Sequence, residues 1–188
     1  MSDAPHIRAL TAEDITARLD AFCDLLLDIV EGGASVGFMA PLSRDRARQF
    51  WQGIIASVER GERILLAATD GPGGRVTGSV QLVLAQPDNQ PHRGDVSKML
   101  VHSSARKQGL GAALLAAIET AALEAGKTLL VLDTVPGTPA DRLYQRAGWT
   151  ALGVIPGYAL MPDGAPSDTR LFWRQIGPAV YSVTSTRP

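Results

Sequence analysis

The chain has 188 residues, 45% of them apolar, which is enough to bury a core and suits a single domain over residues 1–188. Eighteen Lys and Arg against nineteen Asp and Glu leave a formal charge of -1, so broad electrostatic attraction to nucleic acid or to a membrane surface is not expected, and any anion binding must be local. The lone cysteine, Cys23, excludes an internal disulfide framework and fits a cytoplasmic protein, as do apolar runs too short to cross a bilayer and an N-terminus with no basic region before an apolar one.

In chain order, His6 to Leu10 reads as a short strand. It stops at Thr11, whose side chain can cap a helix with Glu13 and Asp14 in the first turn. Ile15, Leu19, Phe22, Cys23, Leu26 and Ile29 then recur at helical spacing as far as Val30, which makes Cys23 a buried, inert thiol rather than a nucleophile. "EGGASVGFMAPL", residues 31–42, breaks the period yet keeps Val36, Phe38 and Met39. Such a loop is either a lid over a ligand or a packed connection. Ser43 can cap a second helix to about Glu59, with Ala47, Phe50, Trp51, Ile54 and Ile55 on one face. "RILLAATD" and "RVTGSVQLVLAQ" form a hairpin, and after a proline-rich turn "DVSKMLVH" returns as a third strand.

The second half changes character. A helix runs from about Leu110 to Gly126, its apolar face passing through Leu110, Leu114, Ile118, Ala121 and Ala125, and "TLLVLDTV" follows as a strand covered on both faces. Strand, helix and strand together make a parallel, right-handed βαβ unit. A further helix from about Pro139 to Ala147 ends at Gly148, and "RLFWRQI" closes the sheet. Trp51 and Trp173 fit core or sheet positions. The whole reads as one mixed α/β domain, an antiparallel meander followed by a parallel core.

Between the strand "KMLVH" and its helix stands Arg106-x-x-Gly109-x-Gly111. A helix N-terminus offers unpaired N–H groups, and glycine lets an anion approach the backbone without a Cβ in the way. A purely structural turn is the alternative. A dinucleotide fingerprint would need Gly or Ala where the chain has Leu114, and no Gly-Lys-Ser or Gly-Lys-Thr opens a helix as in a P-loop.

Taken with Leu143-Tyr144-x-x-x-Gly148-Trp149 further on, this order of strand, cationic Gly-x-Gly turn, helix, strand and helix resembles the GNAT-type N-acetyltransferases. Within that family, "GDVSKMLV", "LDTVPGTPADRLYQRAGW", "IPGYALMPDG" and "GGASVGFMAPL" resemble the tabtoxin-resistance group. The resemblance implies the GNAT fold: a central mixed, twisted sheet of about seven strands flanked by about four helices. It also implies an acetyl-CoA site. The backbone of Met99, Leu100 and Val101 would lie along the pantetheine arm, and the diphosphate would rest on the turn formed by Arg106, Lys107, Gln108, Gly109, Leu110, Gly111 and Ala112. Asp133 and Tyr144 would stand beside the thioester. Many family members carry an asparagine where this chain has Gly137, so no polar contact is assigned there.

Acetyl transfer needs a base for the amine and an acid for the departing thiolate. The resemblance makes Tyr144 the acid; packing on its helix is the alternative. For the base there are two candidates. Asp133 ends the run "LLVLD", where surrounding hydrocarbon would raise its pKa, and Asp95 opens the strand at a position where the tabtoxin-resistance group has an acidic residue. Either could instead cap a turn or hold a cationic substrate. His6 and His92 are expected at the surface, His102 follows the cofactor strand, and no His, Cys and carboxylate spacing suggests a metal. The expected activity is transfer of acetyl from acetyl-CoA to a primary amine of a small molecule, such as an amino-acid-like toxin, antibiotic or metabolite. Segments 32–42 and 156–164 would wall the pocket, and the apolar, β-rich C-terminal segment leaves room for a homodimer. The alternatives are acetylation of protein N-termini or lysines, and a non-catalytic CoA-binding module.

Overall fold

A computed structural model describes residues 5–178. Its sheet has seven strands: β1 (His6–Ala9), β2 (Arg63–Thr69), β3 (Val76–Val83), β4 (Arg93–Val101), β5 (Leu129–Thr134), β6 (Thr150–Leu160) and β7 (Pro166–Gln175), in the spatial order β1-β2-β3-β4-β5-β7-β6. Every neighbouring pair is antiparallel except β4 with β5, the βαβ unit joined through helix α4 (Leu110–Glu124). The expected meander and parallel core are both present.

The first helical segment is broken where the sequence suggested one continuous helix. Thr11 caps α1 (Ala12–Ala17) in a reciprocal box with Asp14, and the chain leaves helical geometry at Arg18 before α2 (Leu19–Glu31). Arg18 donates to the Gly74 carbonyl at 3.0 Å, so the break is held by the β2–β3 hairpin rather than by any local stop signal. Ser43 caps α3 (Arg44–Glu59), as its position suggested. Among the described residues the α-helices therefore number five rather than about four, with α5 at Pro139–Arg146.

Each sheet face carries its own core. Against one face, α1 to α3 bury Ile15, Phe22, Leu25, Leu26, Trp51, Leu65 and Leu100, with the Phe22 and Trp51 rings 4.7 Å apart. Cys23 lies here, fully buried, its thiol pKa pushed up by that burial. Against the other face, α4 and α5 cover Leu66, Val80, Leu82, Val96, Leu130 and Leu132. The buried stripe of α4 includes Leu115 and Ala122 and leaves Ala125 exposed.

The larger departure is β6. Residues 156–160, expected in a loop, are the second half of an eleven-residue edge strand that is exposed throughout. Two glycines and a proline disguise it in the sequence, and an edge strand tolerates all three because one side of its backbone needs no partner.

Candidate active site

The site begins where β4 and β5 part. Their register runs Arg93 with Leu129, Gly94 with Leu130 and Asp95 with Val131, and no pair follows, although β4 continues to Val101 and β5 to Thr134. Beyond Asp95, β4 is bonded only to β3, with Leu100 opposite Ser79 and Val101 opposite Gly78. Met99, Leu100 and Val101 thus lie along the diverging gap, a strand edge open to β-augmentation. One carbonyl of that edge is engaged, since Val101 O accepts from Arg106 Nε at 3.2 Å.

The gap leads to the Gly-x-Gly turn. Lys107 and Gly109 both have positive φ, 61° and 82°, and Gly109 stands immediately before α4 with no side chain capping it. Among the described residues, no protein acceptor is hydrogen-bonded to the backbone N–H groups of Lys107 through Ala112; the first α4 bond is Ala113 N to Gly109 O. This is an uncapped helix N-terminus of the kind that binds phosphate oxygens. A Cβ at Gly111 would lie 3.2 Å from Leu143 Cδ2 on α5, so the glycine also sets how closely α5 approaches the turn. The turn is braced from behind by Asp28 of α2, which accepts from Ser103 N at 2.8 Å and Ser103 Oγ at 2.6 Å, a connection no sequence motif announced. Burial pushes the Asp28 carboxyl up, but the two Ser103 bonds outweigh it and the net shift is downward.

Asp95 and Asp133 share a sheet face with Val131, opposite to the face that packs on α4, and Asp133 lies two residues beyond the last β4–β5 pair. The hydrocarbon setting expected for Asp133 is not what surrounds it. The residue is exposed and accepts from Thr169 Oγ1 of β7 at 2.8 Å, because β7 brings a hydroxyl beside the strand end. Asp95 Oδ1 is buried and 3.3 Å from Arg93 Nε. Tyr144 is 4% exposed, its ring near Trp149 and Phe172 at 5.9 and 5.8 Å. Burial, reinforced by the Asp133 charge, raises the Tyr144 pKa far above that of a free phenol, so its oxygen keeps the proton.

Of the remaining candidates, Arg106 and Lys107 are exposed, and Arg106 turns back to Val101. His102 belongs to the turn's framework: its Nδ1 accepts from Ser104 N at 3.2 Å, and its Nε2 is 3.8 Å from Asp28. Two features escaped sequence reasoning. Asp141, 2% exposed, accepts from Gly137 N and from Arg170 of β7, which ties α5 to the sheet. Lys98 sits at the β4 bulge, and its one visible signal in the sequence is a cation inside an apolar strand.

The arrangement fits a diphosphate on the turn and an extended pantetheine arm in the gap. Residues 22–149 match the profile of the acetyltransferase (GNAT) family. Among solved structures, YncA of Salmonella typhimurium, assigned as an acetyltransferase and solved with its cofactor acetyl-CoA, superposes with a TM-score of 0.75 at 19% identity, over 97% of this chain and 99% of that one. A ribosomal-protein-alanine N-acetyltransferase from Brucella melitensis gives 0.72 at 22%, over 90% and 99%. A protein assigned as a phosphinothricin N-acetyltransferase gives 0.74 at 17%, over 93% and 100%. These likenesses show a common fold, and the profile match over most of the chain shows the family: this protein belongs to the GNAT acetyltransferases and is an acetyl-CoA-dependent N-acetyltransferase.

Proposed function

We propose that the enzyme transfers acetyl directly from acetyl-CoA to a primary amine of a small, amino-acid-like molecule. The observation that carries the choice of a small acceptor is the way segment 32–42 is tied down beside the site. Phe38 packs edge-on to Phe50 of α3 at 5.2 Å, and Ala40 N donates to Pro162 O at 2.9 Å, joining this loop to the turn after β6. A peptide-binding groove would need those walls apart. Resemblance to the tabtoxin-resistance group in "GDVSKMLV" and "IPGYALMPDG" supports a toxin, antibiotic or metabolite as acceptor. The Brucella enzyme's protein acceptor shows that the fold itself leaves the acceptor open.

Acetyl-CoA supplies an activated thioester carbonyl. The N–H groups of Gln108 through Ala112 hold its diphosphate, with Arg106 and Lys107 contributing charge, and the edge from Met99 to Val101 aligns the arm. Asp133 takes the proton shed by the attacking amine, directly or through water, and Tyr144 gives one to the departing sulfur; solvent restores both groups. Asp95 is the second base candidate, but its ion pair with Arg93 and its position before the strands part favour Asp133.

The same reading takes residues 1–188 as one domain, acting in the cytoplasm. It also pairs the exposed edge β6, with Leu152, Val154, Tyr158 and Leu160, against a second copy. The test is release of free CoA across a panel of small primary amines and of peptides. Small-amine turnover supports the proposal. Peptide-only turnover reverses the choice of acceptor, and tight CoA binding without any turnover makes the protein a binding module.

A further inference from the structure

A pocket of about 300 Å³ opens beside the strand divergence, lined by Gly37, Phe38, Arg46, Gln49, Phe50 and Lys98. Two of these residues are cations, and among the described residues neither side chain has a hydrogen-bond or ion-pair partner. The contrast on α3 is informative. Arg44 and Arg48 pair with Asp24 and Asp20 of α2 at 2.6 and 2.5 Å, whereas the side chain of Arg46, between them in sequence, lines the pocket and pairs with no described residue.

Lys98 is aimed there by a β-bulge. The β3–β4 register shifts between Gln81 opposite Ser97 and Ser79 opposite Leu100, and Lys98 has a positive φ of 49°. Val96 packs in the α4 core, yet Leu100, four residues on, packs in the α1–α3 core. The bulge has therefore switched the strand's parity and carried Lys98 to the α1–α3 face. There its Nζ comes within 3.3 Å of the position a Cβ would take at Gly37, so the loop's glycine makes room for the ammonium. Half-buried, Lys98 has its pKa pushed down by desolvation, with the Asp133 charge acting the other way, which places the two side chains in one electrostatic neighbourhood.

Two unpaired cations and an amide line one end of a small cleft with aromatic walls, and a carboxylate stands at the strand divergence. We infer that Lys98 and Arg46 form an anion subsite that selects amine acceptors carrying a carboxylate, holding the acid group while the amine reaches Asp133. The inference rests on the proposed acetylation of a small amine and specifies its acceptor as a zwitterion. A charge-assisted bond to each cation orients the acceptor and offsets the desolvation of Lys98.

The experiment has two arms. In the first, free CoA release is followed with amino acids and their C-terminal amides as matched acceptors. The wild-type enzyme should favour the acid in kcat/KM by about tenfold or more, the range of a hydrogen bond to a charged group. Lys98→Met and Arg46→Gln should each reduce that ratio, chiefly through KM for the acid, and Lys98→Arg should restore part of it. In the second arm, N-acetyl-amino acids and their amides are titrated onto the CoA-bound enzyme, with the rise in melting temperature as readout, which needs no turnover. Equal use of acids and amides by the wild type, or an acid-to-amide ratio insensitive to both substitutions, overturns the subsite while the acetyltransferase reading stands. Acid-selective stabilisation that Lys98→Met abolishes, with no amine turned over, supports the subsite and instead removes the proposed reaction.

Discussion

At the scale of single residues, Tyr144 and Asp133 can be separated by what each substitution leaves behind. Tyr144→Phe keeps the ring between Trp149 and Phe172 and removes only the proton donor. It should lower kcat by about 100-fold, within the usual range for general acid catalysis, with acetyl-CoA affinity little altered by equilibrium titration. Because burial holds the Tyr144 pKa well above the ordinary phenol range, the alkaline fall in activity should belong to another group and should keep its midpoint in Tyr144→Phe. Asp133→Asn should cost more turnover than Asp95→Asn if the carboxylate beyond the strand divergence is the base. Both residues stood out as candidates in the sequence, through the motif around Tyr144 and the end of "LLVLD". Their environment could not, since the hydroxyl of Thr169 on Asp133 arrives from a strand 36 positions away.

At the scale of elements, the Gly-x-Gly turn and α5 depend on one another. A branched side chain at position 111 must displace Leu143, whose neighbour is Tyr144. Gly111→Val should therefore weaken acetyl-CoA binding by tenfold or more in a thermal-shift titration, and should lower kcat as well. Helix α5 is secured to β7 by the buried Asp141 carboxylate. Burial pushes its pKa up, but the Gly137 N–H and the Arg170 guanidinium hold it below the ordinary 3.8. A carboxyl lowered in the folded state lends stability that is present above its unfolded pKa and is lost as the pH falls through the folded one. Asp141→Ala leaves Arg170 without its partner and should cost about 3–5 kcal/mol near neutral pH in urea unfolding, with the gap to wild type closing at strongly acidic pH. Local signals located α5 well, through Thr138 and Pro139 at its start and Gly148 at its end, but its anchor is a contact with a strand later in the chain.

For the whole molecule, the distribution of exposed apolar surface carries the prediction. Leu152 is 66% and Tyr158 56% exposed on a strand that, among the described residues, stands at the edge of the sheet, a surface that invites pairing. The proposed homodimer should be seen by light scattering at micromolar concentration, and Leu152→Lys with Val154→Lys should return the monomer while leaving the far-UV circular dichroism spectrum intact. Acetyl-CoA at about 100 times its Kd should stabilise the fold by about 2.7 kcal/mol, read as a higher melting temperature. Either outcome bears on surfaces that periodicity alone did not reveal. The strand β6 was hidden by its glycines and proline, and the break at Arg18 is held by a hairpin more than fifty residues distant.

The sequence by itself determined the order of elements, the parallel unit and the Gly-x-Gly turn before α4, because apolar period, capping residues and the Gly-x-Gly spacing act over a few neighbouring positions. It also sufficed for the family, since both motifs stand at their proper separation. Only the tertiary structure decided which face of the sheet each charge occupies. A one-residue bulge reverses every side chain beyond it, and whether a cation is paired depends on what the opposing helix presents. Lys98 and Arg46 were therefore visible as letters in the sequence, and came to line one pocket only through the bulge in β4.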